Sequence, residues 1–233
     1  MNKDNNAAFK LQQAKLKPMI DEMLTMQNAL QRHVYKTKRN MIFTNFKDLK
    51  GEEYTKALRD NVYFFVEELH EMGREVPYMK PWKTYLQADM ATNYLEWFKK
   101  AQVELIDAFH FLLNIYLLSD LKCEVYIDYS SCRKANVLTL TKEEVQQIAN
   151  DIKAATVSAY ESISYAQNVL TELRLGTNKK IHASLDGEVQ DALDITLSYI
   201  LSMGLTLGLD FTDVYNTYIA KNKVNFERQN NGY

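Results

Sequence analysis

Glycine and proline are scarce in this chain, at 7 and 3 of 233 residues, against an average usage of about 7 % and 5 %. The three prolines are Pro18, Pro77 and Pro81, so the sequence beyond Pro81 has none. Nothing there removes a backbone N–H or blocks a helix by ring clash. An all-β fold turns every few residues and draws far more on Gly and Pro. Collagen-like, mucin-like and proline-rich linker classes are excluded as well. Cysteine is almost missing: Cys123 and Cys132 are too few for a disulfide framework. With four scattered histidines they match no zinc spacing. No sign of charge dominates, since Lys plus Arg total 28 and Asp plus Glu 30, a net charge of −2. Non-specific nucleic-acid binders carry a basic excess, so neither DNA nor RNA is nominated. Long hydrophobic runs are lacking too. Ile195–Leu209 is the longest uncharged stretch, shorter than the roughly 18 residues of a membrane span. Met1–Lys10 is polar rather than a secretory h-region. A reduced, soluble, cytoplasmic protein is the expectation.

What is present is aromatic and helical. Fifteen Tyr and ten Phe argue against disorder and for a substantial core. The expectation is an all-α bundle forming one domain over 1–233. A polar lead-in covers 1–17. Pro18 suits the first turn of a helix, carried on by Met19, Met23, Met26, Leu30 and Val34. After a connection at 38–51, a second helix is expected over 52–72, with Leu58, Val62, Phe65 and Leu69 as its stripe and Gly73 as its C-cap. Pro77 and Pro81 hold an extended loop. A third helix covers 91–119, and its half Ala108–Leu118 is apolar all round, hence central. Residues 120–140 are the least helical, and Val125, Ile127 and Tyr129 alternate as an edge strand or a loop. Thr141-Lys-Glu-Glu144 fits a capping box opening a fourth helix to 174. Gly176-Thr-Asn178 breaks it. Helices over 185–207 and 211–228 follow, with Gly204 and Gly208 allowing close packing or an end. Glu104-Leu-Ile-Asp107-Ala108 is echoed by Glu188-Val-Gln-Asp191-Ala192, as in a degenerate duplication.

Carboxylates carry the chemistry. In Glu67-Glu68-Leu69-His70-Glu71, Glu68 and Glu71 are i,i+3 and Glu67 and Glu71 are i,i+4, so they share a helix face. Glu104 and Asp107 repeat the i,i+3 spacing on the next helix, among Leu105, Ile106, Ala108 and Phe109. Two like charges about 4 Å apart repel by roughly 1 kcal/mol in water and about 4 kcal/mol at an effective dielectric near 20. Such a group needs protonation, Lys/Arg pairing or a divalent cation. Arg74 alone lies within a turn of Glu68 and Glu71, with Lys99 and Lys100 upstream of Asp107. A hard cation such as Mg²⁺ suits oxygen ligands and phosphate chemistry. A lone Glu-x-x-Glu is usually a solvated helix face. Two pairs on consecutive helices, both in apolar sequence, bring the metal reading level with that one. Lys221, Asn225 and Arg228 fall at i, i+4, i+7, a stripe able to hold phosphate, though on spacing alone an ordinary basic helix end is favoured.

The Glu67–Glu71 and Glu104–Asp107 elements, Pro81-Trp82-Lys83, Asp107-Ala-Phe-His110-Phe111-Leu-Leu and Lys221-Asn222…Asn225…Arg228-Gln229…Gly232-Tyr233 together resemble the dimeric all-α dUTP pyrophosphatases, relatives of the MazG-like NTP pyrophosphohydrolases. The resemblance covers about 18–119 and 185–233. It implies a homodimer that hydrolyses dUTP, and possible dUDP, to dUMP with Mg²⁺, in a bacterial or phage-infected cell. Glu68, Glu71, Glu104 and Asp107 would bind two or more Mg²⁺, and Glu67 or Glu68 would orient or deprotonate the attacking water. Glu71 counts with them as catalytic. Lys221 and Arg228 would hold phosphate, Asn222 and Asn225 would contact nucleotide, and Tyr233 would close over it. Gln27 and Gln31 match the uracil pocket of the first helix. Trp82, Lys83 and His110 are further substrate contacts, although a lone His is more often a satisfied core residue. The alternatives are a dCTP or broader NTP pyrophosphatase, or a member that also binds a repressor protein through 120–184, a possible mobile insertion. Glu188, Asp191 and Asp194 are read as structural remnants of the duplication.

Overall fold

A computed structural model describes residues 3–80, 82–83, 87–123, 125, 134–137, 140–175 and 179–231. Among the described residues six α-helices make up the architecture: α1 (Lys3–Arg39), α2 (Gly51–Glu75), α3 (Gln87–Ser119), α4 (Lys142–Leu175), α5 (Lys179–Thr206) and α6 (Phe211–Asn230), with a short 3-10 turn at Phe46–Asp48. No strand occurs among the described residues, in keeping with the all-α expectation. Val125 is buried in the link after α3, whereas Ile127, Tyr129 and the break Gly176–Asn178 lie outside the described residues.

Helices α2 to α5 form an antiparallel bundle. Asn61 meets Asn114, and Phe64 meets Phe111, so α2 and α3 run in opposite directions. Tyr160 reaches the Val66 carbonyl, bringing α4 against α2, and Tyr165 donates to Glu188 between α4 and α5. Helix α3 is the centre, as its unbroken apolar half predicts: Leu105, Ala108, Leu112, Leu113, Ile115 and Leu118 are fully buried. By length and composition Tyr94–Ser119 could cross a membrane, but 67 % of its most apolar window is buried inside the bundle, which marks it as a core helix. Helix α4 is equally integral, with Val145, Ala149, Ile152, Ala159, Ile163 and Ala166 all at zero exposure. Helices α1 and α6 pack together and run parallel, since the contacts Glu22–Tyr215, Gln27–Tyr218 and His33–Phe226 advance together.

The punctuation differs from the sequence reading at two points. Pro18 lies inside α1 rather than in its first turn. It removes one backbone donor, yet Leu16, Ile20 and Met23 on either side are buried, and their packing carries the helix through. Gly73 is not the C-cap of α2: the helix runs to Glu75 and ends at Val76, whose backbone is extended. Val76 is itself buried, so the last turn is held by packing rather than by a left-handed glycine. The capping box of α4 forms as expected, with Glu144 N–H donating to Thr141 Oγ1 at 3.2 Å and Thr141 N–H to Glu144 Oε2 at 2.7 Å. A second box opens α6: Asp213 N–H donates to Asp210 Oδ1 at 3.0 Å and Asp210 N–H to Asp213 Oδ2 at 2.9 Å. Lys134 pairs with both carboxylates and ties the link before α4 to this corner.

Candidate functional site

The two acidic motifs meet where α2 and α3 pack. Carboxylate oxygens of Glu68, Glu71 and Glu104 all lie within 4.8 Å of one another. Burial is the main cause that raises Glu68 to a pKa of about 7, followed by the charges of Asp107, Glu104 and Glu71. Glu104 is raised for the same first reason and then by Asp107. The Lys221 charge and the facing Glu68 side chain oppose that rise. Glu67 points its charge elsewhere: it acts on Tyr160 of α4, whose hydroxyl burial and that charge push up to about 12. Among the Glu67–Glu71 carboxylates, Glu68 and Glu71 are therefore the pair that joins Glu104.

Asp107 has a different neighbour. Lys221 Nζ of α6 lies 2.7 Å from Asp107 Oδ2, and both side chains are about four-fifths buried. Burial raises the Asp107 carboxyl, and the Lys221 bond and the Arg228 charge oppose that rise. Arg74 approaches Glu71 at 3.6 Å on the exposed rim. An all-oxygen trio, in which burial and neighbouring carboxylates raise Glu68 and Glu104, is a donor set that fits a hard divalent cation.

One turn from Asp107 on α3, His110 is 4 % exposed and opens a chain of buried side chains with a fixed direction. The Ala57 carbonyl can only accept, so Asn61 turns its amide N–H toward it, at 2.7 Å. Asn61 Oδ1 then accepts from Asn114 at 2.8 Å, and Asn114 Oδ1 accepts from Gln27 Nε2 at 2.8 Å. That leaves Gln27 Oε1 facing His110 Nδ1 at 2.9 Å, so Nδ1 carries the ring proton. Burial, then the nearby Lys221 charge, lowers His110 to about 3, and the ring is neutral. Tyr218 stacks on it with ring centroids 4.2 Å apart. The Tyr218 hydroxyl lies 2.8 Å from Gln27 Oε1 and 3.0 Å from the Met23 carbonyl, and accepts from Asn222 Nδ2 at 3.2 Å. Two acceptors in this layer, His110 Nε2 and Asn222 Oδ1, are buried with no hydrogen-bond partner.

This pairing of an oxygen-rich cluster with a buried polar layer agrees with a comparison of the sequence: a family model described as dUTPase matches residues 19–233. The chain belongs to the dUTPase family. As a dUTPase it is an enzyme of nucleotide metabolism that hydrolyses dUTP. No curated protein and no solved structure matches it.

The other expected residues of this dUTPase fall at varying distances from that centre. Gln31, one turn beyond Gln27, is half-buried and Asn225 on α6 is half-buried, while Arg228 is exposed. Trp82 is 80 % exposed and Lys83 is exposed, in the link between α2 and α3. Tyr233 lies outside the described residues. Glu188 accepts from Tyr165, and buried Asp194 accepts from Tyr116 at 3.0 Å and Gln190 at 2.9 Å. Asp191 is exposed. Sequence reasoning missed Asn61, Asn114 and Tyr218. Their signal was present: Asn114 interrupts the apolar run Leu112-Leu113-Asn114-Ile115, and a polar residue kept in such a run is hydrogen-bonded.

Proposed function

We propose that this dUTPase hydrolyses dUTP to dUMP and pyrophosphate with Mg²⁺, using Glu68, Glu71, Glu104 and Asp107 as the cation's ligands. The observation that carries the reading is the meeting of Lys221 with Asp107, which brings the cationic stripe of α6 to the acidic pair of α3. When bound, the cation supplies an activated water and charge neutralisation on the phosphates. Glu68, with its pKa raised toward 7, takes the proton of the attacking water. Glu71 and Glu67 act beside it, Glu71 within the trio and Glu67 from the neighbouring face. Lys221 and Arg228 hold phosphate oxygens, Arg as a fork and Lys as a point charge. Asn225, on their stripe, contacts the nucleotide, joined by Trp82, Lys83 and Tyr233 as it binds.

Base selection falls to the buried layer. Uracil carries a hydrogen on N3, whereas cytosine presents a lone pair there. A bare acceptor at His110 Nε2 or Asn222 Oδ1 pairs with the first and leaves the second unsatisfied, a strong basis for discrimination. Gln27 orients both groups, and Gln31 lines the same helix.

On this reading the chain is one cytoplasmic domain, a relative of the MazG-like enzymes, and works as a homodimer. Exposed Val157, Tyr165 and Ile195 on α4 and α5 offer a second copy an apolar surface. Since α4 belongs to the core, a protein partner would use the 120–141 part of 120–184. The test is pyrophosphate release from dUTP, dCTP and N3-methyl-dUTP with Mg²⁺. Turnover of dUTP alone is expected, and its loss in folded Glu71→Gln and Asp107→Asn. Robust activity in both variants would overturn the proposal, and equal turnover of dCTP would overturn the base assignment.

A further inference from the structure

Asp107 and the glutamate trio are in different states in the nucleotide-free protein. Glu68, Glu71 and Glu104 face one another: Arg74 makes a loose, exposed contact to Glu71 at 3.6 Å, and among the described residues Glu68 and Glu104 have no ion pair, feeling Lys221 only as a nearby charge. Exposed pairs of that kind bind weakly and are screened. Asp107 instead holds Lys221 at 2.7 Å, in a place where both side chains are about four-fifths buried. A buried carboxylate stripped of the cation bonded to it is strongly destabilised, and so is the cation left behind. The pair therefore opens only if each member receives a new partner at the same time. A divalent cation can serve Asp107, but Lys221 needs an anion. The only anion that the reaction brings is the phosphate chain of the nucleotide.

We propose that Lys221 is a positioning residue that covers Asp107 until phosphate draws it away, so that Asp107 becomes a cation ligand only in the presence of nucleotide. The proposal rests on reading the acidic cluster as the metal centre. Lys221 has a flexible four-carbon stem and stands on the same helical stripe as Asn225 and Arg228. The trio accepts a first cation without nucleotide, and further cation binding is tied to the phosphates. The protein thus avoids a fully loaded centre with no substrate in it.

Mn²⁺ binding, followed by paramagnetic resonance and calorimetry on the full chain, tests this without reference to turnover. The wild-type protein is expected to bind one Mn²⁺ alone, and at least one more with a non-hydrolysable α,β-imido analogue of dUTP or with inorganic pyrophosphate. Deoxyuridine, which has no phosphate, should not recruit it. Lys221→Met keeps most of the stem and removes the charge. It should take up the additional Mn²⁺ without any phosphate, at least tenfold more tightly than the wild-type protein does. Full Mn²⁺ loading of the wild-type protein without phosphate would overturn the proposal, and so would an unchanged nucleotide-free stoichiometry in folded Lys221→Met. The first of these results needs no variant. Absence of Mn²⁺ binding under every condition would instead remove the metal centre itself, and the proposal with it.

Discussion

Gln27 Oε1 on α1 and His110 Nδ1 on α3 lie 2.9 Å apart, and this contact determines which nitrogen of the imidazole carries the proton. The direction comes from the far end of the chain of amides, where the Ala57 carbonyl fixes Asn61. A backbone group on α2 thus sets the hydrogen-bonding character of a ring on α3.

That ring should be neutral and protonated on Nδ1 across the physiological range. Long-range proton–nitrogen NMR of imidazole-labelled protein is the check, with Nε2 expected to be the bare nitrogen. Asn61→Leu removes the anchor, and a mixture of tautomers should follow. It also strands the Asn114 amide, at a cost of about 1–3 kcal/mol. Protonation on Nε2 in the wild-type protein would contradict the direction assigned to the chain.

Metal-free stability should depend on pH through Glu68. Its folded pKa, about 7, stands above the ordinary value of 4.5. Between these values the folded state binds the proton more tightly than the unfolded state. The associated stability is present below about pH 4.5 and is lost as pH rises through 7. Glu68 is half-exposed, so screening limits the effect to about 1 kcal/mol. In differential scanning calorimetry this is a Tm about 2–4 °C lower at pH 8 than at pH 5.5. Saturating Mg²⁺ should flatten the slope. A Tm that rises toward pH 8 without metal would refute the assignment.

Glu68→Gln should separate stability from function. Removing one charge from the crowded cluster should raise the metal-free Tm at pH 8. Loss of the proton acceptor should lower kcat by about 10²-fold or more. A destabilised variant that keeps its activity would show that Glu68 serves the fold alone.

Two glycines should respond oppositely to alanine. Gly208 has a φ of +84°, and a Cβ there would meet the Ala135 carbonyl at 3.1 Å and Val137 at 3.1 Å. Gly208→Ala should cost about 1–2 kcal/mol. Gly73 lies within α2, and its added Cβ would meet only the Met79 methyl at 3.1 Å. That group can swing away, and the helix gains up to about 1 kcal/mol. Thermal melts of the two variants compare them directly. A larger loss at Gly73 than at Gly208 would contradict the local geometry.

Much of the site could be read from spacing. Glu68, Glu71, Glu104 and Asp107 are placed by helical period on two successive helices, and antiparallel packing brings the pairs together. The buried half of α3 was equally legible, because a run without a polar face has to be central. The Lys221–Asp107 pair was not. Its members share no local pattern, and which face of α6 meets α3 is decided by tertiary packing. Helix ends were unreliable for a related reason. Pro18 is a local start signal and Gly73 a local stop signal, and both are overridden by buried neighbours such as Ile20 and Val76. The direction of the amide chain could not have been found from sequence, since it depends on one backbone carbonyl at its end.

Helices α1 and α6 are joined by the Tyr218 hydroxyl reaching Gln27, a contact between residues 191 positions apart. On the ribosome, Gln27 is made long before Tyr218 and Asn222 exist. A nascent chain can therefore assemble the α2–α5 bundle and its acidic trio while the buried polar layer still lacks a wall. At typical synthesis rates of about 5–20 residues per second, Tyr218 follows Gln27 by on the order of ten seconds or more. The base recognition proposed for this layer thus depends on α6 closing against α1, after the residues of the acidic trio have already been made.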